Sequence, residues 1–261
     1  MGVLNITPDS FYDGGKHQQI KQVLKHTGHM LDDGADMIDI GAASSRPGAD
    51  LITARDEQKR LLPALKALVK EYPEAIWSID TYNSDTAQKA FDEGAHIIND
   101  ISAGSIDIDM FPTIARLKAP YIMMHMQETP ATMQKNPVYT DLMQEVIRYF
   151  SERVARLKQL DVNDIIIDPG FGFGKSLEHN FHLLRNLSFL KLFELPILVG
   201  LSRKSMINKT LHSSPENALN GTTVLNTLAL QHGASILRVH DVKEAKEAIK
   251  LFLAYNNCNS Y

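Results

Sequence analysis

The chain has 261 residues, of which 44% are hydrophobic and 22% charged, and a net charge of −4. This composition supports a sizeable core and argues against disorder and against a general nucleic-acid or membrane-surface binder, while leaving room for a local basic pocket that takes a phosphorylated small molecule. The single cysteine, Cys258, lies in a polar tail and allows no disulfide framework or cysteine metal site within one chain. The sequence shows no leader-like or membrane-length apolar run, so a cytoplasmic protein is expected.

From the N-terminus, residues 3–6 read as a strand, followed by a long loop rich in turn residues and hydroxyls. A helix is expected over 18–31, with Ile20, Val23, Leu24 and Leu31 on one face. A strand over 37–40 and a loop carrying Ser44, Ser45, Arg46 and Pro47 come next, then a helix over 54–69 built on Leu61, Leu62, Leu65 and Leu68. Further strands are expected over 76–80, 96–99, 121–124, 165–168, 197–200 and 235–239, with a helix over 140–160 between the fifth and sixth. The runs are short, rich in Ile and bounded by Gly or Pro, which marks buried strands rather than helices. Gly34, Gly94 and Gly233 each close the helix before the next strand.

Eight β/α units in about 250 residues match a TIM barrel, a (β/α)8 fold with long active-site loops after strands one and two. The competing reading is an open doubly wound sheet; the strand count and the lack of a GxGxxG after strand one weigh against it. No composition shift divides the chain, so residues 1–261 are expected to form a single domain. Barrel active sites lie at the C-terminal ends of the strands. Four apolar runs end there in an acid or amide: Asp39, Asp80, Asn99 (followed by Asp100) and Asp168. A carboxylate in an apolar wall is costly unless paired or hydrogen-bonded, and four of them on one face indicate a built polar site.

The later loops are also rich in chemistry. Strand six leads into Asp168-Pro169-Gly170-Phe171-Gly172-Phe173-Gly174-Lys175, where glycines permit close backbone approach and Phe171 and Phe173 can wall a flat ligand. Strand seven leads through Gly200 into Ser202-Arg203-Lys204-Ser205, hydroxyls and cations suited to an anion or a polar ring atom. Strand eight ends in Arg238-Val239-His240-Asp241, and alternation places Arg238 and His240 on one face, toward the barrel mouth.

Together with Asn5-Ile6-Thr7-Pro8-Asp9-Ser10-Phe11 and Ser44-Ser45-Arg46-Pro47-Gly48-Ala49, these motifs resemble the dihydropteroate synthase family of pterin-binding barrels over nearly the whole chain. The resemblance implies condensation of a dihydropterin-methyl diphosphate with 4-aminobenzoate, giving 7,8-dihydropteroate and diphosphate in folate biosynthesis. It implies that Asp80, Asn99, Met124, Asp168, Phe173, Gly200, Lys204 and Arg238 form the pterin pocket, and that Asp80, Asp168, Lys204 and Arg238 are its catalytic members. Asn5, Arg238 and His240 hold the diphosphate on this reading, with Mg2+ on the phosphates and Asn5, an oxygen donor of the type Mg2+ prefers. Phe11, Ser45, Pro47 and Ser205 are the implied aminobenzoate contacts, and Asp13 and Arg46 order the closed loops.

Diphosphate departs first in the implied reaction. The electron-rich pterin delocalises the resulting cation, Asp80 and Asp168 stabilise it electrostatically, and a neutral arylamine attacks without a strong general base. Asp39 is read as support for the other acids, His125 as a hydrogen-bonded structural residue and Lys175 as structural or peripheral. Two features depart from the family: Ala43 stands where a Glu is usual, and Met1 lies almost inside strand one, which places closure of the barrel floor at risk. A homodimer is expected through late helices, residues 217–231 being apolar enough to permit it. The alternatives are a pterin-dependent corrinoid methyltransferase and a non-catalytic pterin-binding paralogue.

Overall fold

The computed structural model describes residues 1–6, 16–43, 51–128, 132–133 and 137–258. Strands and helices alternate: β1 (Gly2–Asn5), α1 (Lys16–Asp32), β2 (Met37–Gly41), α2 (Ala54–Glu71), β3 (Ile76–Asp80), α3 (Ser84–Asp92), β4 (Ile97–Asp100), α4 (Met110–Leu117) and β5 (Tyr121–Met124). They continue as α5 (Leu142–Gln159), β6 (Ile165–Asp168), α6 (Leu177–Arg185), β7 (Leu198–Val199), α7 (Ser205–Leu211), α8 (Leu219–Gln231), β8 (Ile236–Leu237) and α9 (Val242–Asn256). Local chemistry explains several ends. Thr53 caps α2 and Asp141 caps α5 through side-chain acceptors, and Gly34, Gly94 and Gly233 leave their helices at φ of +94°, +99° and +103°.

Strands β1 to β6 pair in sequence order, all parallel, and β7 pairs with β8. Parallel bridges Ile167–Ile197 and Gly2–Val239 join the two sheets into a closed barrel. At the seam Val3 donates to the Val239 carbonyl and Val239 to that of Met1, both at 2.9 Å. The floor expected to be at risk is therefore paired around the ring. Strands seven and eight are shorter than expected, two residues each, because their pairing at the seams continues as single bridges rather than ladders.

The strands alternate in what they bury. Ile38, Ile40, Ile79, Ile98, Met123, Ile167, Val199 and Val239 join the large cluster packed under the helices. A separate inner cluster, Met1, Ile97, Ile122 and Leu198 with Met37, Ile166 and Ile236 against it, fills the barrel floor. Two residues further along each of these strands the inward position changes character: Ile97 gives way to Asn99, Ile122 to Met124, Ile166 to Asp168, Leu198 to Gly200, Ile236 to Arg238 and Met37 to Asp39. An apolar plug thus carries a polar layer at the C-terminal end of the barrel.

Candidate functional site

Strand register assembles the polar layer. Asp39 lies beside Ser78, Asp80 beside Asn99, and Met124 beside Asp168. Asp39 is fully buried, and its carboxylate accepts from Ser78 Oγ at 2.6 Å, Asn99 Nδ2 at 3.0 Å and Arg238 Nε at 2.7 Å. The same guanidinium donates through its second arm to Asp80 at 2.9 Å. One cation thus spans two carboxylates from different strands, a geometry that a planar fork of donors makes possible. Burial raises the Asp80 carboxyl above its ordinary range, against the pull of Arg238. Burial works against the Arg238 charge too, yet Asp39 and Asp80 hold the guanidinium more firmly protonated than usual.

Across the mouth, Asp168 accepts the Gly170 N–H at 2.8 Å, and burial raises its carboxyl against the opposing charge of Lys204. Lys204 donates to the Phe171 carbonyl and lies 4.6 Å from the centre of the Phe173 ring. Burial lowers its ammonium to about 8, with Asp168 opposing. Phe173 and Ala43 pack against an apolar patch of Tyr82, Ile101, Met124, Met126 and Met133 beside the polar layer. The expectation that both phenylalanines wall the site is corrected. Phe171 is fully buried in the main core, because the turns at Gly170 (φ +69°) and Gly172 (φ +80°) send the two rings apart.

The Gly-rich loop takes its shape from Lys175. This ammonium is buried and lies 2.9 Å from Gly170 O, 3.0 Å from Phe173 O, 2.9 Å from His125 Nδ1 and 3.4 Å from His125 O, so its N–H donors are surrounded by partners. Burial lowers Lys175 to about 7 and holds His125 well below its usual range. Asp100, also fully buried, shapes the turn after β4 by accepting from Ser102 N, Ser102 Oγ, Gly104 N and the Tyr121 hydroxyl.

Asn5 and His240 are exposed at the rim, and Ser205 opens α7 there. Phe11, Asp13, Ser45, Arg46 and Pro47, expected at the aminobenzoate and in the closed loops, lie outside the described residues. Among the described residues no group of three or more His, Cys, Asp or Glu side chains is placed to hold a metal ion. Sequence reasoning passed over Ser78 and Lys175 as site builders and left Asp39 secondary. Ser78 had a signal, since it lies two positions before Asp80 on one strand and so shares its face.

The sequence matches the pterin binding enzyme family over residues 1–240. It is 42% identical over 254 residues to the dihydropteroate synthase of Escherichia coli (strain K12), covering 96% of this chain and 89% of that protein. This chain belongs to the dihydropteroate synthase family. Solved structures of the family superpose closely. The Yersinia pestis dihydropteroate synthase with a sulfonamide drug complex gives a TM-score of 0.92 at 41% identity, covering 99% of this chain and 94% of that one. The Xanthomonas albilineans dihydropteroate synthase in complex with 7,8-dihydropteroate gives 0.87 at 34% identity, covering 98% and 93%. The family's fold is a TIM barrel, as the closed ring of parallel strands requires. No helix among the described residues is long and apolar enough to cross a membrane.

Proposed function

We propose that this protein is a dihydropteroate synthase. It joins the methylene carbon of a dihydropterin-methyl diphosphate to the amine of 4-aminobenzoate: the C–O bond to diphosphate breaks, a C–N bond forms, and the amine loses one proton. The observation that carries this reading is the Asp39–Arg238–Asp80 bridge facing Asp168 and Lys204 across the barrel mouth. A reduced pterin offers a row of ring N–H and amine donors on one edge and a carbonyl on another. Asp168 and Asn99 suit the donors, Lys204 suits the carbonyl, and Phe173 with Met124 supplies an apolar wall. Asp80 and Asp168 place negative charge where the ring becomes cationic as diphosphate leaves.

The leaving group is polyanionic, and Arg238, His240 and Asn5 are the groups at the rim suited to it. Asn5 would hold Mg2+ there together with oxygens of the substrate, because a single neutral amide is a weak site by itself. When bound, the ion would neutralise charge on the diphosphate. The corrinoid methyltransferase reading gains no support from this arrangement, which sets one cation and two further hydrogen-bonding groups, His240 and Asn5, where an anionic leaving group would depart.

The assembly is proposed to be a homodimer through α8 and α9. These helices pack on each other and expose Val224, Leu228, Leu251 and Tyr255, the last two 73% and 74% exposed. Contiguous exposed apolar side chains of this kind mark interaction surfaces. The test of function is direct: purified protein is mixed with pterin diphosphate, 4-aminobenzoate and Mg2+, and diphosphate release is followed. Release that depends on the arylamine is expected; tight pterin binding with no such release overturns the synthase reading.

A further inference from the structure

The loops after β7 and β8 are cross-linked twice, in consecutive register. Ser202, buried beneath the rim, lies with its Oγ 3.2 Å from the His240 backbone nitrogen and 3.1 Å from His240 Nδ1. One residue further on, Arg203 grips Asp241 with both arms of its guanidinium, Nε to Oδ2 at 2.9 Å and a terminal nitrogen to Oδ1 at 2.7 Å. Arg203 holds the left-handed backbone conformation, φ +56°, unusual for a residue with a long side chain. Several contacts keep it there: its N–H donates to Thr222 Oγ1 at 3.0 Å, and its guanidinium also reaches the Pro215 carbonyl at 3.1 Å.

Hydrogen counting at Ser202 sets the chemistry of the imidazole. The hydroxyl accepts the His240 backbone N–H, which leaves its own proton to place. His240 Nδ1 is the acceptor within reach among the described contacts of this oxygen. Were Nδ1 protonated instead, Ser202 would receive two hydrogens and its own proton would be buried without a partner, a costly arrangement. The remaining ring proton must then sit on Nε2.

We propose that Ser202 is a positioning residue that holds His240 as the neutral, Nε2-protonated tautomer, so that the ring presents a fixed N–H donor to the departing anion, with the Arg203–Asp241 fork keeping the two loops in register. The charges around the ring agree with a neutral form: the loops that cover part of the ring and then the Arg238 cation lower the imidazole below its ordinary range, with Arg203 and Lys204 acting the same way and Asp241 opposing. A fixed donor is useful toward an oxyanion, because its orientation is set before charge develops. The assignment of an anion to His240 rests on the function proposed above, whereas the tautomer does not.

The experiment has two independent arms. Nitrogen-15 spectra of the imidazoles in the free protein at about pH 7.5, with His240 assigned through a His240→Gln control, should show Nδ1 unprotonated and Nε2 protonated. Ser202→Ala should shift both resonances toward the averaged pattern of a free imidazole. In the second arm, Ser202→Ala should lower kcat about tenfold and weaken inorganic diphosphate binding by a similar factor, leave the affinity for a pterin lacking diphosphate unchanged, and be rescued by Ser202→Thr. A protonated Nδ1 or an averaged pattern in the unmutated protein overturns the proposal, even if Ser202→Ala fails to fold. So do unchanged diphosphate affinity and kcat in Ser202→Ala. The expected spectra in a protein without synthase activity leave the tautomer standing and defeat the functional reading instead.

Discussion

Asp39 ties together three other groups of the polar layer. It takes hydrogen bonds from Ser78, Asn99 and Arg238, so it orients the Asn99 amide and the cation at the mouth together. Asp39→Asn removes the charge while keeping the shape. The variant should be less stable by about 3 kcal/mol in urea unfolding, because breaking a buried pair leaves a charge poorly compensated. Its turnover should fall on the order of 100-fold, the cost of misplacing groups proposed to touch substrate. Lys204 gives a prediction with a defined pH window. Burial lowers it from 10.5 to about 8, so over that range the unfolded chain binds more protons than the folded one. The contribution of this group to stability therefore rises with pH between the two values. The proposed contact to a pterin carbonyl weakens over the same range, and calorimetric titration should show pterin affinity falling as pH passes about 8. A flat profile through pH 9 would remove Lys204 from the pterin site.

The strand ends and their loops place these groups, and two glycines show how differently a loop can depend on a missing side chain. A Cβ on Gly170, at φ +69°, would come 2.0 Å from the His125 carbonyl oxygen. That oxygen is backbone and cannot yield, so Gly170→Ala should cost more than about 3 kcal/mol in a chemical-denaturation curve and abolish pterin binding. A Cβ on Gly200 meets nothing nearer than Arg238 Cβ at 4.0 Å. Gly200→Ala should therefore change stability by less than about 1 kcal/mol. If the pterin lies against this strand end as proposed, the added methyl should still weaken pterin binding roughly tenfold. Loss of stability without loss of affinity at Gly200 would mean that the ligand lies elsewhere. The Lys175 ammonium belongs to the same element-level design, since it gathers the carbonyls of a loop whose glycines alone would not choose one conformation.

At the level of the molecule, the barrel closes through its first and last strands, and α8 and α9 pack together with apolar side chains turned outward. Leu251→Glu places a charge in the middle of that exposed patch. Sedimentation should show the parent protein as a dimer and this variant as a monomer, with the thermal midpoint of the barrel little altered, because Leu251 contributes little to the core. A parent that sediments as a monomer at micromolar concentration removes the dimer proposal and leaves the active-site proposals untouched.

The eight-strand alternation, the C-terminal placement of the acids and the family motifs could all be read from residue order. Each is local: a period of two, a run of Ile, a glycine after a helix, or a loop of fixed spelling. The pairing inside the mouth could not. Arg238 meets Asp39 across 199 positions of chain, and Ser202 meets His240 across 38. The first contact exists because the ring of strands returns β8 to the side of β1 and β2, the second because β7 pairs with β8, and nothing in either local pattern names its partner. The same limit applies to Phe171 and Phe173, alike in spelling and opposite in destination, because the positive φ of Gly170 before the pair and of Gly172 between them turns one ring into the core and the other toward the site. Residue order decided which chemical groups reach the barrel mouth; closure of the barrel decided which of them share a proton, a charge or a wall.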